Sequence, residues 1–117
     1  MAPEVLAALT AANHGTAGSY GADDATRRLA GLAGELFETD LAIYPVFTGT
    51  AANSLALAAL TPPWGAVYCH ATAHVHVDEC GAPEFFTGGA KLVGLPGADG
   101  KLTHAALAAP LATAQAG

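Results

Sequence analysis

Charge is scarce in this chain. Only 12% of its 117 residues are Asp, Glu, Lys or Arg, where ordinary domains carry about 25%. Cations are scarcest: Arg27, Arg28, Lys91 and Lys101 stand against ten acids, for a net charge of −6. Nucleic acid needs a basic stripe, and no such stripe exists. So acidic and Lys-poor a chain is also a weak binder of anionic membranes. Pro, Gly and His interrupt every apolar run before it reaches transmembrane length. The start, Met1-Ala2-Pro3-Glu4, lacks the basic segment that opens a signal peptide. Two cysteines, Cys69 and Cys80, do not make a disulfide framework. A cytoplasmic protein with reduced thiols is expected.

What the chain has in excess is apolar side chains, 52% of the total. Its length suits one small domain. So few polar groups cannot cover a free surface of that size. Either the composition is an Ala-rich coding bias, or further chain or a partner covers much of the surface.

The patterning alternates helix and strand. Pro3 suits the first turn of a helix to about Ala12, with Val5, Leu6 and Leu9 on one face. His14-Gly15 ends it, and a Gly-rich loop runs from Thr16 to Ala22. Asp23 or Asp24 caps a second helix, where Ala25, Leu29, Leu32 and Leu36 recur at helical spacing. Strands are expected over 41–47, 66–69 and 91–95, with a buried helix over 52–60. Thr103 caps a last helix, which Pro110 is expected to break or kink. The chain closes on Ala-Gln-Ala-Gly, with no terminating structure. Strands alternating with helices imply an α/β fold with a mostly parallel sheet. Three short strands are a poor independent sheet, because parallel strands want helices on both faces.

The most informative stretch is Thr48-Gly49-Thr50-Ala51-Ala52-Asn53. It joins an expected strand to an expected helix. Such a turn aims free backbone N–H groups and the positive end of a helix dipole at one spot. Gly49 permits close approach of an anion, and Thr48 and Thr50 add hydroxyls. These are the elements of a phosphate cradle without Lys or Arg. The same pattern also serves ordinary N-capping.

The second unusual stretch runs from Cys69 to Cys80, with His70, His74, His76, Asp78 and Glu79 between them. Zinc accepts all these ligand types. However, His74 and His76 point to opposite sides of a strand, or about 200° apart on a helix, so no metal site is expected. Partly buried, hydrogen-bonded roles suit His70 and His76, and small buried apolar roles suit the two cysteines. Asp78 suits a cap or a solvated charge. His74 and Glu79, five apart, come near one another if the stretch is helical, and such a pair can transfer protons.

Taken together, the two stretches resemble the threonine aldolases of the β-eliminating lyase family, which depend on pyridoxal phosphate (PLP). The likeness is to the low-specificity L-threonine and phenylserine aldolases. It is carried by Ser19-Tyr20-Gly21-Ala22-Asp23, Leu36-Phe37-Glu38-Thr39-Asp40, Thr48 through Leu57 and Ala73-His74. It continues through Asp78-Glu79-Cys80-Gly81-Ala82-Pro83-Glu84-Phe85-Phe86, Lys91-Leu92 and Gly100-Lys101-Leu102-Thr103. The resemblance implies the start of an aminotransferase-like large domain, PLP fold type I, with an incomplete, mostly parallel sheet. Residues 1–40 would be amino-terminal helices and 41–117 the start of that domain. Gly49 and Thr50 would hold the cofactor phosphate. His74 would stack on the pyridine ring and handle the proton at the substrate hydroxyl. Glu79 would be the acid beside it. Tyr20 would lie near the active site and reach a neighbouring subunit of a homo-oligomer. The reaction implied is cleavage of a β-hydroxy-α-amino acid, threonine or phenylserine, to glycine and an aldehyde.

Some of the family's pattern is missing. The family's Schiff-base lysine, the Asp that faces the pyridine nitrogen and a cofactor-holding Arg all lie downstream of the segments matched here. Lys91 and Lys101, the chain's two lysines, match no cofactor-lysine motif. The family's Ser-Asp-Asn start is absent as well. An amino-terminal fragment, inactive by itself, is therefore expected. Two other readings stay open: a non-catalytic phosphate-binding remnant or interaction module, and a zinc hydrolase built on His70, His74 and His76.

Overall fold

The computed structural model describes residues 1–115. Ala116 and Gly117, which complete the closing Ala-Gln-Ala-Gly, lie outside the described residues. The chain forms two compact units, Met1–Pro45 and a second beginning at Val46.

The first unit is helical. Helix α1 spans Pro3–Ala12, with Pro3 in its first turn, where the missing N–H costs nothing. Helix α2 spans Asp24–Phe37. Asp23 caps it: Oδ1 accepts from the Thr26 N–H at 2.8 Å and Oδ2 from the Thr26 hydroxyl at 2.6 Å. Leu29 is half-buried and Ala33 buried, whereas Leu32 and Leu36 of the expected apolar stripe are exposed. No strand lies in this unit, so the stripe has no sheet within the unit to bury it.

The second unit carries the sheet. The expected strand over 41–47 does not form, and those residues carry no ladder. Pro45 removes a donor from the middle of the run. Among the described residues, the strands that do form pair only with each other. Helix α3 spans Gly49–Leu60, so it starts three residues before the expected 52, because Thr48 supplies the cap. A turn follows, and it requires glycine at position 65. A Cβ on Gly65 would lie 2.8 Å from Thr61 Cγ2 and 3.0 Å from the Pro62 carbonyl oxygen.

Strand β1 (Ala66–His70) pairs in parallel with β2 (Lys91–Leu95), with Ala66 opposite Lys91 and His70 opposite Leu95. The crossover holds the one-turn helix α4 (His74–Val77) and α5 (Ala82–Phe86), which packs on α3. Buried Thr87 fixes the return to β2. Its hydroxyl donates to the Pro83 carbonyl at 2.8 Å and accepts from the Ala90 N–H at 3.1 Å. The core is small: Cys69, Pro83, Ala90, Leu92 and Leu95, with Ser54 from α3. Helix α6 spans His104–Gln115, and Thr103 Oγ1 accepts from the Ala106 N–H at 3.2 Å. Of the expected break or kink, the break does not occur: α6 does not end at Pro110. Proline removes one helical hydrogen bond, and the Ala-rich flanks, the best helix formers, carry the helix across.

Candidate active site

The start of α3 is an open set of hydrogen-bond donors. Thr48 uses its side chain and carbonyl inside the helix: Oγ1 accepts from the Ala51 N–H and the carbonyl from the Ala52 N–H, each at 3.1 Å. The next donors back, the N–H groups of Gly49 and Thr50, have no protein partner among the described residues. A Cβ on Gly49 would meet no heavy atom within 4 Å. The first turn holds no acid to occupy the dipole. Capping by Thr48 thus leaves two amides, and the hydroxyl of half-buried Thr50, for a ligand.

The other half of the site is tied to the same helix. Glu79 is a buried acid whose side chain is 0% exposed. Its Oε1 takes a hydrogen bond from Asn53 Nδ2 at 2.6 Å and lies 2.9 Å from His74 Nδ1. The His74 side chain is 64% exposed. Burying a carboxylate is costly unless donors compensate it, and Asn53 and His74 supply them. The backbone explains how Glu79 reaches α3. α4 makes one turn from His74 and ends at Asp78, its C-cap. Cys80 (φ 52°) and Gly81 (φ 73°) then take successive left-handed conformations, reversing the chain into α5. A non-glycine residue there is uncommon. No sequence motif marks Asn53 for this role. The local signal is an amide one turn into an Ala-rich helix.

His70 is half-buried and doubly bonded: Nδ1 accepts from the Thr72 N–H at 3.1 Å, and Nε2 faces the Gly97 carbonyl at 2.9 Å. His76 is exposed rather than part-buried, although its ring lies against Gly94, where a Cβ would come within 2.9 Å of Nε2. Cys69 is buried as expected. Its thiol is pushed up by burial and by the charge of Glu84. Cys80 is exposed, because the left-handed reversal turns it away from the core. Among the described residues, no three His, Cys, Asp or Glu side chains gather as a metal site would require. Lys91, at the head of β2, and Lys101 are exposed. Tyr20, in the first unit, is exposed at a left-handed turn, φ 61°.

The donors on α3 are all N–H and O–H, which is the chemistry a phosphate dianion requires. Parallel strands joined by crossover helices place the fold among α/β proteins. The likeness to a solved structure narrows it to part of an aminotransferase-like domain, PLP fold type I. A threonine aldolase from Leishmania major superposes with a TM-score of 0.85 at 32% identity, over 97% of this chain and 33% of that one. The chain belongs to the beta-eliminating lyase family, whose profile matches residues 1–116. Low specificity L-threonine aldolases from Pseudomonas sp. and Pseudomonas aeruginosa are each 50% identical to it over 105 residues. That alignment covers 90% of this chain and 30% of either relative, so the chain spans about a third of their length.

Proposed function

We propose that this chain supplies the phosphate cradle and the proton-handling histidine of a PLP-dependent lyase that cleaves β-hydroxy-α-amino acids. The observation that carries the reading is the Asn53–Glu79–His74 linkage on the helix whose first amides are open. Gly49 and Thr50 bind the cofactor phosphate through their N–H groups and the Thr50 hydroxyl. Glu79 accepts from His74 Nδ1–H and orients the ring. His74 Nε2, facing solvent, takes the proton of the substrate hydroxyl as the Cα–Cβ bond breaks, leaving an aldehyde and glycine. Bound pyridoxal phosphate supplies the electron sink. Tyr20 serves the same site from a neighbouring subunit.

L-Threonine and phenylserine are the substrates this reading assigns. The setting is a cytosolic homo-oligomer; no helix among the described residues is long and apolar enough to cross a membrane. Residues 1–40 form the amino-terminal helices and 41–117 the start of the large domain. Neither Lys91 nor Lys101 serves as the cofactor lysine, so the chain alone does not turn over.

The test is a fluorescence titration of the purified chain with pyridoxal phosphate and, separately, with pyridoxal. Saturable binding that needs the phosphate is expected, with no glycine released from L-threonine. Equal binding of both compounds would refute the cradle. Glycine release by the chain alone would refute its inactivity.

A further inference from the structure

We propose that Asn53 is a positioning residue. Acting through Glu79, it holds His74 in the tautomer that carries hydrogen on Nδ1 and leaves Nε2 as the proton acceptor. The inference rests on the reading of His74 as the proton-handling ring and adds a residue to that site. Its basis is a shared atom. Asn53 Nδ2 has hydrogens to give and no lone pair to accept with, so at 2.6 Å Glu79 Oε1 is the acceptor. His74 Nδ1 meets that same oxygen at 2.9 Å, and a ring nitrogen facing an acceptor carries the hydrogen. The neutral ring then has its lone pair at Nε2.

Glu79 depends on this arrangement. Its side chain is wholly buried, and Oε2 has no hydrogen-bond partner among the described residues. Both of the group's donors therefore converge on Oε1. Losing Asn53 leaves a buried carboxyl with one donor and nothing else to hold it against His74. Position on the helix gives the linkage its use. Asn53 follows Thr50 by three residues and Gly49 by four, so all three share one face of α3. The helix that offers amides to an anion thereby also sets the orientation of the histidine. Packing does not explain the residue, since Asn53 is exposed apart from this bond.

The experiment records long-range 1H–15N correlations of the labelled 117-residue chain at alkaline pH, without any ligand. The spectrum contains its own folding reporter. His70 accepts at Nδ1 from the Thr72 N–H and donates at Nε2 to the Gly97 carbonyl, so it displays the opposite tautomer. His74 is expected as Nδ1–H in the parent chain. In Asn53→Leu it shifts toward Nε2–H while His70 is unchanged. Asn53→Ala, with the best helix former, gives the same shift if the leucine perturbs folding. Glu79→Leu removes the acceptor and sets the full extent of the change. The inference is overturned if His74 keeps Nδ1–H in the Asn53 variants while His70 is intact, or if the parent chain already shows Nε2–H. Failure of the phosphate-dependent titration would remove the functional reading and leave this measurement standing.

Discussion

Two threonines at one helix start have different duties, and substituting them separates binding from stability. Thr50, the second residue of α3, makes no side-chain hydrogen bond among the described residues. Thr50→Val keeps its shape and β-branching, so stability should change by no more than about 0.5 kcal/mol. If its hydroxyl donates to a phosphate, the lost charge-assisted bond is worth about 1.5–3 kcal/mol. That corresponds to about 10- to 150-fold weaker binding of pyridoxal phosphate. Binding is not abolished, because the amides of Gly49 and Thr50 remain. Thr48 is the reverse case. Its Oγ1 is occupied by the Ala51 N–H at 3.1 Å, so Thr48→Ala loses a cap worth about 1 kcal/mol. Melting should fall by about 4 °C, with affinity reduced far less than in Thr50→Val. Fluorescence titration and thermal melts on the three chains give both readouts. Unchanged affinity in a folded Thr50→Val chain would refute the cradle argument.

Two further outcomes follow from titratable groups. Hydrogen bonds from the Thr26 hydroxyl, and then from the Thr26 N–H, hold the Asp23 carboxyl below its ordinary 3.8. A carboxyl depressed in the folded chain stabilises fully above that value, and its contribution is lost as pH falls through the lower folded value. The Thr26 amide resonance should therefore move only as the pH is taken below 3.8, and Asp23→Asn should remove that movement. A Thr26 amide indifferent to acid would contradict the cap. At the cysteines, the thiolate is the reactive form, and burial together with Glu84 raises the Cys69 thiol. Iodoacetamide at mildly alkaline pH should label exposed Cys80 and spare Cys69, with Glu84→Gln speeding the slow site. Mass spectrometry reads the order, and equal rates would disprove it.

Local rules determined much of this molecule without reference to its fold. Thr48 before Gly49, Asp23 before Asp24 and Thr103 before His104 mark helix starts, because a cap acts within three residues of chain. Short apolar runs bounded by turns marked β1 and β2, and the five-residue spacing of His74 and Glu79 allowed their contact. Tertiary structure decided the rest. Glu79 became a buried acceptor because Asn53, 26 residues earlier, reaches it from α3, and no spacing rule covers that distance. Residues 41–47 carried a strand-like pattern but formed no ladder, since a strand exists only where a partner pairs with it. Cys80 was exposed, and Leu32 and Leu36 likewise, because burial depends on what packs against a side chain as well as on its own hydrophobicity. Capping and propensity act along the chain and can be read from it, whereas burial and long-range hydrogen bonds arise only between segments once they have met.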